Sequence, residues 1–151
     1  MDKSGIKIIA TNRKAHFNYF LSDYVECGIV LKGTEIKSLR VHSCSIGDSY
    51  IIIRNGEAEI LNMHINPYEQ GNIFNQDPLR SRKLLLHKKE IKWFEAESQK
   101  GGYAIIPTRV YFRKGKCKVE IALGKGKKNY DKRETIKKRN QERSMRRGED
   151  Y

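Results

Sequence analysis

The sequence predicts a mainly β protein: a closed antiparallel barrel of about six short strands with about three short helices, followed by a flexible basic C-terminal tail. Three features lead there. Short apolar runs rich in isoleucine and valine recur between glycine-bearing turns as far as Gly124. Beyond it the apolar residues thin out, and residues 125–151 hold only Tyr130, Ile136, Met145 and Tyr151 against 11 basic and 5 acidic residues, a net +6. The whole chain of 151 residues carries 31 Lys and Arg against 18 Asp and Glu, a formal charge of +13, which is the balance of a polyanion binder.

Taken in order, Ile6 to Ala10 reads as the first strand. Asn12 is placed to cap a short helix with the apolar stripe Phe17, Phe20, Leu21 and Tyr24, and Phe20 is expected in the core. Val25 to Leu31 forms the next strand, where Gly28 marks a bend or bulge. Thr34 to Leu39 supplies a helical turn or two after Gly33, and Asp48 and Ser49 serve turn backbone groups. Asn55-Gly56, between Ile51-Ile52-Ile53 and Ala58 to Leu61, is a tight hairpin signal. A polar loop from Asn66 to Pro78 is closed by the basic cluster Arg80, Arg82 and Lys83. His87 to Lys100 makes a helix with Ile91, Phe94 and Glu95 on successive turns, stopped by Gly101-Gly102. A second hairpin turns at Lys114-Gly115, after which Cys117, Val119, Ile121 and Leu123 alternate with a wet, partly basic face. Among small barrels the oligonucleotide-binding (OB) fold is the nearest; a two-sheet sandwich is the alternative. The division expected is a barrel over 1–124 and a tail over 125–151.

In the tail, Asp131 with Glu134 three residues on forms a capping-box pattern, and Glu134–Lys138 and Glu142–Arg146 are favourable i,i+4 pairs. A helix would align Lys132, Ile136, Arg139, Arg143 and Arg147 on one stripe. With no apolar face to bury, and with Arg139 opposing Arg143, the tail is expected to be disordered alone and helical once phosphates neutralise it.

Catalytic chemistry is not legible. The four histidines, His16, His42, His64 and His87, show no ligand spacing, and Cys27, Cys44 and Cys117 form no close pair. The glycines around Lys125 lack P-loop spacing. The expectation is a binding protein, not an enzyme, with no metal or cofactor. The chain has no apolar run long enough for a membrane span and no signal peptide, so a cytoplasmic monomer is expected.

Four strings carry more than composition does. Asn12-Arg13-Lys14-Ala15, Gly33 to Arg40 (Gly-Thr-Glu-Ile-Lys-Ser-Leu-Arg), Arg80 to Leu86 (Arg-Ser-Arg-Lys-Leu-Leu-Leu) and Gly124 to Lys128 with Asp131-Lys132-Arg133 stand in the order found in the SsrA-binding protein (small protein B) family, which the chain resembles from about Ile6 into the tail. The resemblance implies an OB-type barrel that binds the tRNA-like domain of transfer-messenger RNA and delivers it to stalled ribosomes. It implies RNA contacts at Asn12, Arg13, Lys14, Tyr19, Glu26, Leu85 and Lys118. It also implies that Lys127, Lys128, Tyr130, Asp131, Lys132, Arg133, Ile136, Arg139, Arg143 and Met145 act in the decoding centre and message channel of the small ribosomal subunit. Lys118 suits a phosphate; Glu26 suits a base amino group, a ribose hydroxyl or a neighbouring arginine. Leu85 by itself reads as core. Tyr130 stands where many members have histidine, which keeps stacking and removes titration. A structural ribosomal protein or general RNA-binding barrel with a basic arm is the alternative.

Overall fold

A computed structural model describes residues 5–70 and 75–146. The elements are β1 (Ile6–Thr11), α1 (Arg13–Asn18), β2 (Tyr19–Ile29), α2 (Gly33–Val41), β3 (Cys44–Ser45), β4 (Tyr50–Arg54), β5 (Glu57–Leu61), β6 (His64–Ile65), β7 (Arg82–Leu85), α3 (Lys88–Ser98), β8 (Tyr103–Arg113), β9 (Lys116–Gly126) and α4 (Asn129–Arg146). Pairing runs antiparallel through β8, β4, β5, β7, β2 and β9, and β9 pairs back onto β8, so six strands form a ring. β4 meets β8 at Ile51–Ile105, a thin seam beside the long β8–β9 hairpin. β1 adds to β8 outside the ring, and β3 and β6 make a separate small pair.

The two hairpins form where turn chemistry places them. Asn55 and Gly56 have φ of 54° and 73°, and Lys114 and Gly115 have 51° and 77°, the paired positive values that a two-residue turn needs to follow strand twist. Inside the ring, Ile51, Ala58, Ile60, Leu84, Val110, Val119 and Ile121 are buried, each larger aliphatic contributing about 1.5–3 kcal/mol. Phe94 of α3 closes one end, and His87 donates its backbone N–H to Glu90 Oε1 at 3.1 Å to start that helix.

Two expectations are corrected. First, the helix after Asn12 ends at Asn18, so Phe20, Leu21 and Tyr24 lie on β2, and Phe20 is 51% exposed rather than core. A six-residue helix gains little by elongation, whereas Tyr19 through Ser22 join a ladder with Gly126 through Leu123. Second, the bulge in β2 falls between Ser22 and Val25, where Asp23 takes φ 57°, not at Gly28. Gly28 instead permits close approach: a Cβ there would meet Leu85 Cβ at 3.3 Å. The basic cluster at the end of the polar loop divides between core and surface. Arg82 is buried, its Nε donating to Glu35 Oε2 at 2.5 Å and its Nη1 to the Met63 carbonyl at 2.6 Å. Arg80 donates to the same carboxylate, which ties the chain at Arg80 to α2.

Candidate nucleic-acid interface

Residues directly opposite on antiparallel strands share a face. Register therefore lays out one row across the barrel: Ile8 opposite Tyr111, Tyr111 opposite Lys118, Lys118 opposite Gly28, and Gly28 opposite Leu85. Glu26, two residues before Gly28, lies on the same outer face. The structure thus brings Glu26, Leu85 and Lys118 together, although no two of them are near in sequence. Leu85 is 52% exposed on this row and does not belong to the core, which corrects its reading from sequence. The side chain of Gly28 is absent, so Leu85 lies flat against β2 and offers an apolar ledge.

Charge on this face is ordered in pairs. Glu26 stands opposite Glu120 across β2 and β9, an unfavourable juxtaposition unless each has its own cation. Arg109 pairs with Glu120 (Nη2 to Oε2, 2.9 Å), and Thr108 Oγ1 donates to Glu120 Oε1 at 2.8 Å. Arg113 Nε sits 3.0 Å from Glu26 Oε1, and the Tyr111 hydroxyl donates to the same oxygen at 2.8 Å. Tyr111 was in the predicted hairpin but carried no sequence signal as a functional residue, because a tyrosine in a strand reads as packing. Its signal is the register, which only folding reveals.

The second cluster lies at the other end of β2, seven residues away, or roughly 23 Å at strand rise. Asn12 is 2% exposed and wholly engaged: Oδ1 accepts from the Ala15 N–H at 3.0 Å, and Nδ2 donates to the Ile46 and Pro107 carbonyls at 3.2 and 2.8 Å. It sets the position of α1 and leaves Arg13 and Lys14 exposed, Lys14 near Asp48 at 3.3 Å. Tyr19 lines an open cleft of about 710 Å³ with Lys14, Phe17, Asn18, Asp48 and Tyr50.

The arm grows from this end. The Gly126 register with Tyr19 continues as the Lys127 N–H donates to the Asn18 carbonyl at 2.9 Å, and Lys127 Nζ lies 4.9 Å over the Phe20 ring. The ladder therefore runs on to Gly126 before the arm separates. Asp131 Oδ2 accepts from the Lys128 N–H at 3.2 Å, so it reaches back from the first turn, and the cap lies three residues earlier than the capping pattern placed it. Lys132 Nζ and Arg139 Cζ each lie 5.9 Å from the Phe17 ring centroid, so the predicted stripe faces α1. Lys128 and Arg133 are exposed, and Ile136 is 45% exposed. Tyr130, Arg143 and Met145 fall within α4 by backbone, but their side chains, and Arg147 entirely, lie outside the described residues.

Burial pushes the thiols of Cys27 and Cys117 up to about 12 and that of Cys44 to about 11, leaving them protonated and weakly nucleophilic at neutral pH. Among the described residues no group of three or more His, Cys, Asp or Glu is placed to hold a metal ion, and no helix is long and apolar enough to cross a membrane.

A basic six-stranded ring, with a mixed polar row on its outer face and a cationic helical arm beyond it, defines the class: a nucleic-acid-binding barrel with a helical arm. Comparison with known proteins gives the particular family. The family model described as SmpB protein matches residues 9–150. An SsrA-binding protein of Caldicellulosiruptor bescii is 54% identical over 144 residues, spanning 95% of this chain and 91% of the relative. One from Fervidobacterium nodosum is 56% identical over 135 residues, spanning 89% and 91%. A solved chain described under "tmRNA-SmpB: a journey to the center of the bacterial ribosome" superposes with a TM-score of 0.69 at 37% identity, covering 86% of this chain and 95% of that one. The chain belongs to the SmpB protein family.

Proposed function

We propose that this chain binds the tRNA-like domain of transfer-messenger RNA and carries it to stalled ribosomes, acting in the cytoplasm as a binding protein and not as an enzyme. The observation that carries the proposal is the outer row: Glu26, Leu85 and Lys118, drawn from β2, β7 and β9, converge beside Gly28 on a family-matched barrel. On that row Lys118 meets phosphate, Leu85 packs against a base or sugar, and Glu26 accepts from an N–H or O–H donor. Arg13, Lys14 and Tyr19 extend the contact at the α1 end, with Asn12 holding their helix in place.

The arm does the second task. Lys127, Lys128, Asp131, Lys132 and Arg133 at its root, then Ile136, Arg139, Arg143 and Met145, with Tyr130 supplying a stacking ring, occupy the decoding centre and message channel, where the phosphates of ribosomal RNA neutralise its cations. Off the ribosome the arm alternates between the docked helix and open forms, since an isolated helix of this length and charge is marginal.

The test is competition for the full chain between the tRNA-like domain and ordinary tRNA at low and high salt. Counterion release weakens any phosphate-driven binding as salt rises, so a preference that persists at high salt identifies recognition of one folded RNA. Equal collapse of both affinities would leave a general RNA-binding barrel with a basic arm.

A further inference from the structure

Glu26 is the one acid among the residues assigned to RNA, and a carboxylate beside phosphates is useful only if it is aimed. Of its two oxygens, Oε1 is occupied twice, by the Tyr111 hydroxyl at 2.8 Å and by Arg113 Nε at 3.0 Å. The Arg113 N–H is not aligned as a hydrogen bond, so the arginine supplies charge and the phenol supplies direction. Tyr111 is suited to hold a fixed bearing. It is 1% exposed, its backbone is paired on both sides, with Ile8 and with Lys118, and the guanidinium carbons of Arg109 and Arg113 lie 5.1 and 5.8 Å from its ring centroid. Burial, and next the bond to Glu26, push its hydroxyl up to about 12, so its proton is present throughout the physiological range. Glu120, the like charge opposite Glu26, is drawn off by Arg109 and Thr108 and does not compete for the phenol.

We propose that Tyr111 is a positioning residue for RNA recognition: by clamping Oε1 of Glu26 it presents the other carboxylate oxygen as a fixed acceptor for a base amino group or ribose hydroxyl of the tRNA-like domain. The proposal rests on the role given to Glu26 above. Lys118 and the surrounding cations attract any polyanion, and phosphate contacts carry no sequence information. A fixed carboxylate on the same row repels a phosphate and rewards an N–H or O–H donor, so it converts attraction into selection. An unclamped glutamate would have to freeze its torsions during binding and could swing toward Arg113 or away from the row.

The experiment measures binding of the full chain to the tRNA-like domain and to ordinary tRNA for the unaltered protein, Tyr111→Phe, Glu26→Gln, Glu26→Asp and the Tyr111→Phe/Glu26→Gln double variant, with melting curves for each. Tyr111→Phe keeps the ring between its arginines and removes only the hydroxyl. Glu26→Asp, at a solvent-accessible position, keeps the charge and withdraws it from the hydroxyl's reach. Each is expected to lose about tenfold of the preference for the tRNA-like domain, with affinity for ordinary tRNA unchanged. The double variant is expected to be no worse than Glu26→Gln alone, because both act through one carboxylate. If Glu26→Gln loses the preference while Tyr111→Phe and Glu26→Asp retain it, the clamp is wrong and the role of Glu26 stands. If Glu26→Gln retains the preference, the role of Glu26 itself fails. An equal loss for both RNAs would assign Tyr111 to folding and overturn the proposal.

Discussion

The outer row and the arm hold cations on the same molecule by opposite means. On the row, Tyr111 and Lys118 are paired by backbone ladders on both sides, and the two acids of the face each have a cation: Arg109 with Glu120, Arg113 with Glu26. Among the described side chains of α4, Lys132 and Arg139 reach Phe17 of α1 through ring contacts at 5.9 Å, each worth about 0.5–1 kcal/mol at an exposed site. In the role proposed for it, the row is a preformed reader whose geometry binding need not create. The role proposed for the arm asks the reverse, that a phosphate-lined surface take over contacts as weak as these.

The largest effect expected concerns what keeps the row rigid. Glu35→Ala leaves buried Arg82 without its carboxylate, and the expected loss is about 3–5 kcal/mol in urea unfolding, with RNA binding lost in proportion to folded protein. The same group gives a pH signature. Burial alone would raise the Glu35 carboxyl, but hydrogen bonds from Arg80, the Lys32 N–H and Arg82 outweigh it and hold the group below its ordinary 4.5. Its stabilisation is complete above that value and is lost as pH falls through the lower folded pKa, so the unaltered protein should show acid destabilisation that Glu35→Gln lacks.

Next comes removal of residues 129–151, beyond the last strand residue, Gly126, and the Lys127 bond to Asn18. The melting temperature and affinity for the tRNA-like domain should change little, while tagging of stalled translation products should be abolished. Loss of RNA affinity equal to the loss of tagging would merge the two regions into one. The smallest effect expected is that of Phe17→Leu, which removes the ring under Lys132 and Arg139 and leaves an apolar side chain in place. Helical signal by circular dichroism should fall by part of the α4 contribution, with unfolding of the barrel changed by less than about 1 kcal/mol.

What could be read from sequence was what short-range chemistry decides. Asn55-Gly56 and Lys114-Gly115 turn as their residue types require, Asn12 caps α1, and Gly101-Gly102 follows the end of α3. What could not be read depends on partners far along the chain. Phe20 and Leu85 are apolar and were assigned to the core, yet both face outward, because the registers with Lys125 and Gly28 set their side. Arg82 is one of three cations in a short cluster, and only a carboxylate 47 residues away explains its burial. Of the interface, the family resemblance implied Glu26, Leu85 and Lys118 but not the adjacency that puts them on one face, nor Tyr111, whose strand position gave no hint of a hydroxyl aimed at Glu26.

The root of the arm has a further consequence. Because the ladder holds through Lys127, the 18-residue helix starts from a fixed anchorage and spans roughly 27 Å. In the role proposed for it, once the barrel is seated on its target, the arm searches a volume of that radius and meets any receptor within it at an effective concentration on the order of 10 mM. Contacts with dissociation constants near a millimolar are then enough to keep it engaged most of the time. Such contacts also release quickly, so the tether lets the arm test a site and withdraw without the barrel letting go.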